Sequence, residues 1–128
     1  MIFILKFIIG GAYQGKLNYV MEKYQKTIVA NGKVCSLNDT FHCEILNNFE
    51  ILIKRFFNTI NDAISYLNLL LEKNPNIIII STEIGYGIVP IEKSDRIYRE
   101  LIGRVCCEVS KKAEIVERVF CGLGVSIK

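Results

Sequence analysis

The sequence predicts an α/β fold, a three-layer α/β/α sandwich around a mostly parallel sheet. Three observations point there. Residues 2–9 form an apolar run broken only by Lys6, the pattern of a strand buried on both faces of a parallel sheet. A glycine loop at residues 10–16 follows at once and opens into residues at helical spacing. Beyond it, strand-length apolar runs alternate with longer amphipathic stretches, with no repeats and no low-complexity linker, as helices packed on a parallel sheet require.

The elements follow in order. After the first strand, Leu17, Val20, Met21 and Tyr24 recur at helical spacing. Asn31-Gly32 marks a turn, and residues 34–37 read as the second strand, closed by Asn38-Asp39-Thr40. Over residues 43–57, Ile45, Leu46, Phe49, Leu52, Ile53 and Phe56 fall on one helical face, so a helix is expected. A second amphipathic helix covers 60–71 and stops at Glu72-Lys73-Asn74-Pro75. Residues 77–80 are four isoleucines, a buried strand, followed by a loop over 83–90. A long helix over about 92–112 buries Ile97, Leu101, Val105 and Val109, and residues 115–121 make the last strand, ahead of Gly122-Leu123-Gly124 and a short apolar tail.

The loop carries the chemistry. Gly10-Gly11-Ala12-Tyr13-Gln14-Gly15-Lys16 completes the pattern Gly-x-x-x-x-Gly-Lys. Its glycines let the backbone curl so that N–H groups face phosphate oxygens, and Lys16 supplies a point charge for the outer phosphates. A helix N-terminus behind such a loop favours an anion. The next residue is Leu17, where a serine or threonine would supply a magnesium-binding hydroxyl. Magnesium would then depend on phosphate oxygens, water and a nearby carboxylate. No separate protein metal site is expected.

Composition bounds the rest. The 128 residues suit one domain spanning 1–128 with a sizeable core. The N-terminal apolar run is too short to span a bilayer, and a cytoplasmic protein without membrane attachment is expected. Five cysteines, Cys35, Cys43, Cys106, Cys107 and Cys121, include no Cys-x-x-Cys pair and have a single histidine to join them. They read as free thiols rather than a zinc site. A net charge of +3 without a basic, aromatic-laced run does not suggest nucleic-acid binding.

Three further stretches carry a resemblance: Thr82-Glu83-Ile84-Gly85-Tyr86-Gly87-Ile88-Val89-Pro90, then Arg96, Arg99, Glu100 and Gly103-Arg104-Val105, then Gly122-Leu123-Gly124-Val125 with Ile127-Lys128. With the glycine loop, they resemble the adenosylcobinamide kinase/adenosylcobinamide-phosphate guanylyltransferase family over residues 2–24 and 77–128. The resemblance implies a P-loop NTPase-like fold, a trimer, and late steps of cobalamin assembly. There a nucleoside triphosphate phosphorylates the aminopropanol hydroxyl of adenosylcobinamide, and GMP is then transferred from GTP through a guanylylated histidine. The chain departs from the family at Leu17, at Cys106 in place of an asparagine, and in a middle region shorter by several tens of residues. His42 has no arginine neighbours of the kind that flank the family's guanylylated histidine, and the nucleophile is not carried over to it.

Residues 10–17 are thus the expected nucleotide-binding set, with Lys16 catalytic. Glu83 either orients metal-bound water or takes the hydroxyl proton, or it only ties down its own loop. Asp39 competes for that role but has the signature of a turn residue. Arg96, Arg99 and Arg104 suit bidentate phosphate or substrate recognition, or else pair with Glu92 and Glu100 on a solvated face. Expected ligands are ATP or GTP, magnesium and a corrinoid. The expected function is adenosylcobinamide-kinase-like, with guanylyl transfer disfavoured; the alternative is a non-catalytic nucleotide- or corrinoid-binding assembly subunit.

Overall fold

The computed structural model describes residues 4–83 and 93–128. Its elements in chain order are β1 (Lys6–Gly10), α1 (Lys16–Tyr24), β2 (Val29–Asn31), α2 (Leu37–Thr40), β3 (Ile45–Asn47) and α3 (Phe49–Phe56). Then follow α4 (Ile60–Lys73), β4 (Ile78–Thr82), α5 (Lys93–Lys112), β5 (Ile115–Phe120) and β6 (Leu123–Ser126). The six strands form one sheet in the order β2-β3-β4-β1-β5-β6. All pairings are parallel except β5 with β6. The expected loop over 84–90 lies outside the described residues.

Strand alternation builds two cores. On one face, Ile8, Ile45, Ile78, Ile80 and Val119 meet Val20 of α1. On the other, Phe7, Leu46, Ile79 and Val116 meet Phe49, Leu52 and Ile53 of α3, Leu67 and Leu70 of α4, and Val105 and Val109 of α5. Ile77 to Ile80 are essentially inaccessible, each worth about 1.5–3 kcal/mol in water-excluded surface. This is the predicted three-layer α/β/α sandwich.

Three expectations over short elements need correction. The second strand, Val29–Asn31, runs into the Asn31-Gly32 turn rather than following it. Residues 32–34 turn instead, and Ser36 caps α2 in a capping box with Asp39. Asp39 is therefore a helix-capping residue. The single helix expected over 43–57 is split: Ile45–Asn47 is a strand, because Asn48 adopts a left-handed conformation (φ 57°) and restarts the chain as α3. The apolar tail is the antiparallel edge strand β6.

The turn after β2 is pressed onto the end of β3. Gly32 N–H donates to the Asn47 carbonyl at 2.7 Å, and the Arg55 guanidinium donates to the Gly32 and Cys35 carbonyls at 2.7 and 2.9 Å. A Cβ at position 32 would stand 2.2 Å from the Asn48 carbonyl oxygen. Gly32→Ala should cost about 2–3 kcal/mol through overpacking against backbone, measured as a lowered urea midpoint at unchanged slope.

Candidate functional site: a glycine loop at the carboxyl edge of the sheet

Parallel strands deliver their carboxyl ends to one edge, where β1 runs into the glycine loop and the loop into α1. Gly15 precedes the helix at φ 78° and ψ 28°, a left-handed geometry that glycine adopts without strain. Tyr13 is also left-handed (φ 61°), with its side chain fully exposed at the loop apex. No side chain caps the first turn of α1, so its leading amides can serve an anion. The Lys16 ammonium donates to the Gly11 carbonyl at 2.7 Å, lying across the loop it would serve.

The loop is braced from behind by the β5–β6 hairpin. Cys121 and Gly122 have φ of 50° and 76°, the paired left-handed residues of a tight hairpin turn. Their amides point at Gln14: Cys121 N–H donates to Gln14 Oε1 at 2.7 Å and Gly122 N–H to the Gln14 carbonyl at 2.9 Å. Gln14 thus has its side chain committed to holding the loop, leaving its own amide for a ligand. On the other side, Glu83 N–H donates to the Gly10 carbonyl at 2.8 Å.

A cavity of about 450 Å³ opens over the loop, bordered by Ala12 to Asn18 and by Lys33, Asn47, Asn48, Glu50 and Thr82. Glu50 is the residue that sequence reasoning missed. It lies in the first turn of α3, 7% exposed, and its Oε2 accepts from Ser81 Oγ at 3.2 Å and Thr82 N–H at 3.0 Å. Burial lowers the Lys16 ammonium below the ordinary lysine range, against the opposing pull of the Glu50 and Glu83 carboxylates. Leu17 borders the same cavity while packing on the α1-side core.

The other expected residues are distributed around the sheet. The Glu83 carboxylate pairs with the Arg118 guanidinium at 3.0 Å, on the side facing α5. Arg99 is half-buried beside that pair, bordering a second cleft. Arg104 bonds Glu100 at 2.8 Å on an exposed helix face, the solvated i,i+4 pair that the sequence allowed. Arg96 is exposed near the start of α5. His42 is exposed in the turn that leads into β3, at the amino edge of the sheet, opposite the loop. Burial pushes the Cys43 and Cys106 thiols up to about 11, while Cys107 and Cys121 are exposed. Among the described residues no three His, Cys, Asp or Glu side chains are grouped as a metal site. Among them, too, no helix is long and apolar enough to cross a membrane.

The family model described as cobinamide kinase / cobinamide phosphate guanyltransferase matches residues 22–127. The chain belongs to that family. The match reaches through the middle region that the motif resemblance left aside, and it begins after the glycine loop, so the loop rests on its own motif and geometry. A curated relative, the bifunctional adenosylcobalamin biosynthesis protein of Salmonella typhimurium, is 34% identical over 70 residues, 54% of this chain. Those residues amount to 39% of that relative's length. The family is P-loop NTPase-like, in keeping with the strand, glycine loop and helix seen here.

Proposed function

We propose that this chain binds ATP or GTP on the glycine loop and acts in cobalamin biosynthesis as an adenosylcobinamide-kinase-like enzyme, phosphorylating a corrinoid alcohol. The observation that carries this reading is the cavity over the loop, where Lys16, the first-turn amides of α1 and the Glu50 carboxylate face one space. In that arrangement the amides and Lys16 neutralise the phosphates and hold the transferred group, and positioning with charge neutralisation supplies most of the catalysis. Glu50, which borders the loop cavity as Glu83 does not, is better placed than the Arg118-paired Glu83 to accept the hydroxyl proton.

The oxygen donors at the loop fit a magnesium ion carried in on phosphate. Glu50 would be its charged ligand, and Asn47, Asn48 and Thr82 would offer neutral oxygens. Bound there, the ion would neutralise charge developing on the phosphate oxygens. Guanylyl transfer is not part of the proposal, because the one histidine stands at the opposite edge of the sheet from Lys16. A homo-oligomer, a trimer by family resemblance, is part of it. Phe120, Leu123, Val125 and Ile127 leave apolar surface exposed along β5 and β6, which self-association would cover.

The test is turnover: protein, ATP or GTP and magnesium with adenosylcobinamide, following the phosphate ester. Phosphorylation absent from a Lys16→Ala control is expected, and no ester above that control would overturn the kinase reading. The second reading, a non-catalytic nucleotide- or corrinoid-binding assembly subunit, is favoured by Leu17 packing into the core where a metal-binding hydroxyl would stand. Nucleotide affinity indifferent to magnesium, and unchanged in Leu17→Ser, would support that reading.

A further inference from the structure

A second cleft, of about 710 Å³, opens between α5 and strands β1, β4 and β5, running from Thr82 and Glu83 to Ser110 and Lys111 near the end of α5. Its size is that of small-molecule sites, which run to about 300–1,000 Å³. Phe7, Ile9 and Ile102 line it with apolar surface, and it reaches down to Phe7, which is 1% exposed. Its charge is predominantly positive. Arg99, Lys111 and Arg118 border it against Glu83 alone among the described carboxylates, and Glu83 is taken up by Arg118. Lys111 leans on Glu108 at a long 3.5 Å. Arg99, half-buried, forms no ion pair with any described residue.

A half-buried guanidinium beside an apolar wall, with no carboxylate partner among the described residues, is arranged for an oxyanion attached to an apolar body. We propose that this cleft is a binding site for such a ligand, a compact apolar molecule carrying a phosphate or carboxylate, with Arg99 as its anchor. The apolar part rests on Ile9 and Ile102, and the oxyanion takes a forked pair of hydrogen bonds from the guanidinium. The site is separate from the glycine loop. Thr82 borders both cavities, and Ser81 and Thr82 meet on the Glu50 carboxylate between them.

Calorimetric titrations of the whole protein with α-naphthyl phosphate, α-naphthoate and α-naphthol test this. Both anions should saturate, with α-naphthol at least about tenfold weaker, and Arg99→Ala should weaken both anions by about tenfold or more. Arg99→Lys should retain part of that affinity, because charge survives without the fork. Lys16→Ala should leave all of these affinities unchanged, which separates this site from nucleotide binding on the loop. Absence of saturable binding by either anion, equal affinity for α-naphthol, or indifference to Arg99→Ala overturns the proposal. Loss of anion binding in Lys16→Ala does so too, because it would assign the probe to the loop.

Discussion

Lys16→Ala is expected to weaken nucleoside triphosphate binding by about 100-fold, the loss of roughly two charge-assisted hydrogen bonds, while leaving the protein folded. Lys16 is the first residue of α1, and its ammonium already reaches across to the Gly11 carbonyl at 2.7 Å. Little of the fold depends on that contact. Alanine is a good helix former, and the backbone bond from Tyr19 N–H to the Gly15 carbonyl at 3.0 Å survives the change. The measurement is a pair of titrations, one of nucleotide and one of urea, on the same preparation. Lost affinity with an unmoved unfolding midpoint is the predicted pattern. A midpoint that falls with the affinity would make Lys16 a structural residue instead.

Glu117→Ala is expected to destabilise the fold by about 2–4 kcal/mol, the cost of leaving buried polar partners unpaired. Glu117 sits on β5 facing α1, 3% exposed. The hydroxyls of Tyr19 and Tyr24 both donate to its carboxylate, and the Lys23 ammonium approaches at 3.1 Å. One carboxylate thus ties three residues of α1 to the far end of the chain. Burial acts to raise the Glu117 carboxyl, and the Tyr19, Tyr24 and Lys23 donors more than reverse it, so the group ends below the usual glutamate range. Near the ordinary glutamate value of about 4.3 the unfolded chain therefore binds more protons than the folded one. This contribution is complete above that pH and is lost as the pH falls through the folded value. At the alkaline end, burial and the Glu117 bond push Tyr24 up to about 12. Stability from that source is complete below the ordinary tyrosine value of about 10 and is lost as the pH rises toward the folded one. Urea midpoints across pH should show both limbs in the native protein and a flattened acid limb in Glu117→Gln.

Long, strongly patterned segments were legible before any coordinates. The isoleucines of β4, the face of α4, Leu101, Val105 and Val109 of α5, and the strand-to-loop-to-helix succession at residues 6–24 took the form their patterns require. Ile97, expected on the buried face of α5, is instead 53% exposed a turn into the helix. The misreadings fall where elements are short. In residues 43–57, Ile45, Leu46, Phe49, Leu52 and Ile53 satisfy helical spacing, yet Ile45 and Leu46 go to opposite faces of the sheet and into different cores. A two-residue apolar run cannot separate a strand from a helical face by period alone. The signal that could have done so was Asn47-Asn48, a poor helix-interior pair where the chain turns through the left-handed region. That misreading also hid Glu50. Placed mid-helix it looked like one more polar residue, but in the first turn of α3 it sits beside the glycine loop. The Glu83–Arg118 pair and the Gln14 brace join residues 35 and 107 positions apart. They depend on strand order, which no local pattern encodes.

The central claim, that the glycine loop is a working nucleotide site, is tested most directly by titrating the unmodified protein with ATP and with GTP in a calorimeter, with and without magnesium. Saturable binding of at least one triphosphate, weaker for its monophosphate because the outer phosphates lose Lys16, is the predicted result. A folded protein that takes up neither triphosphate under either condition would contradict it.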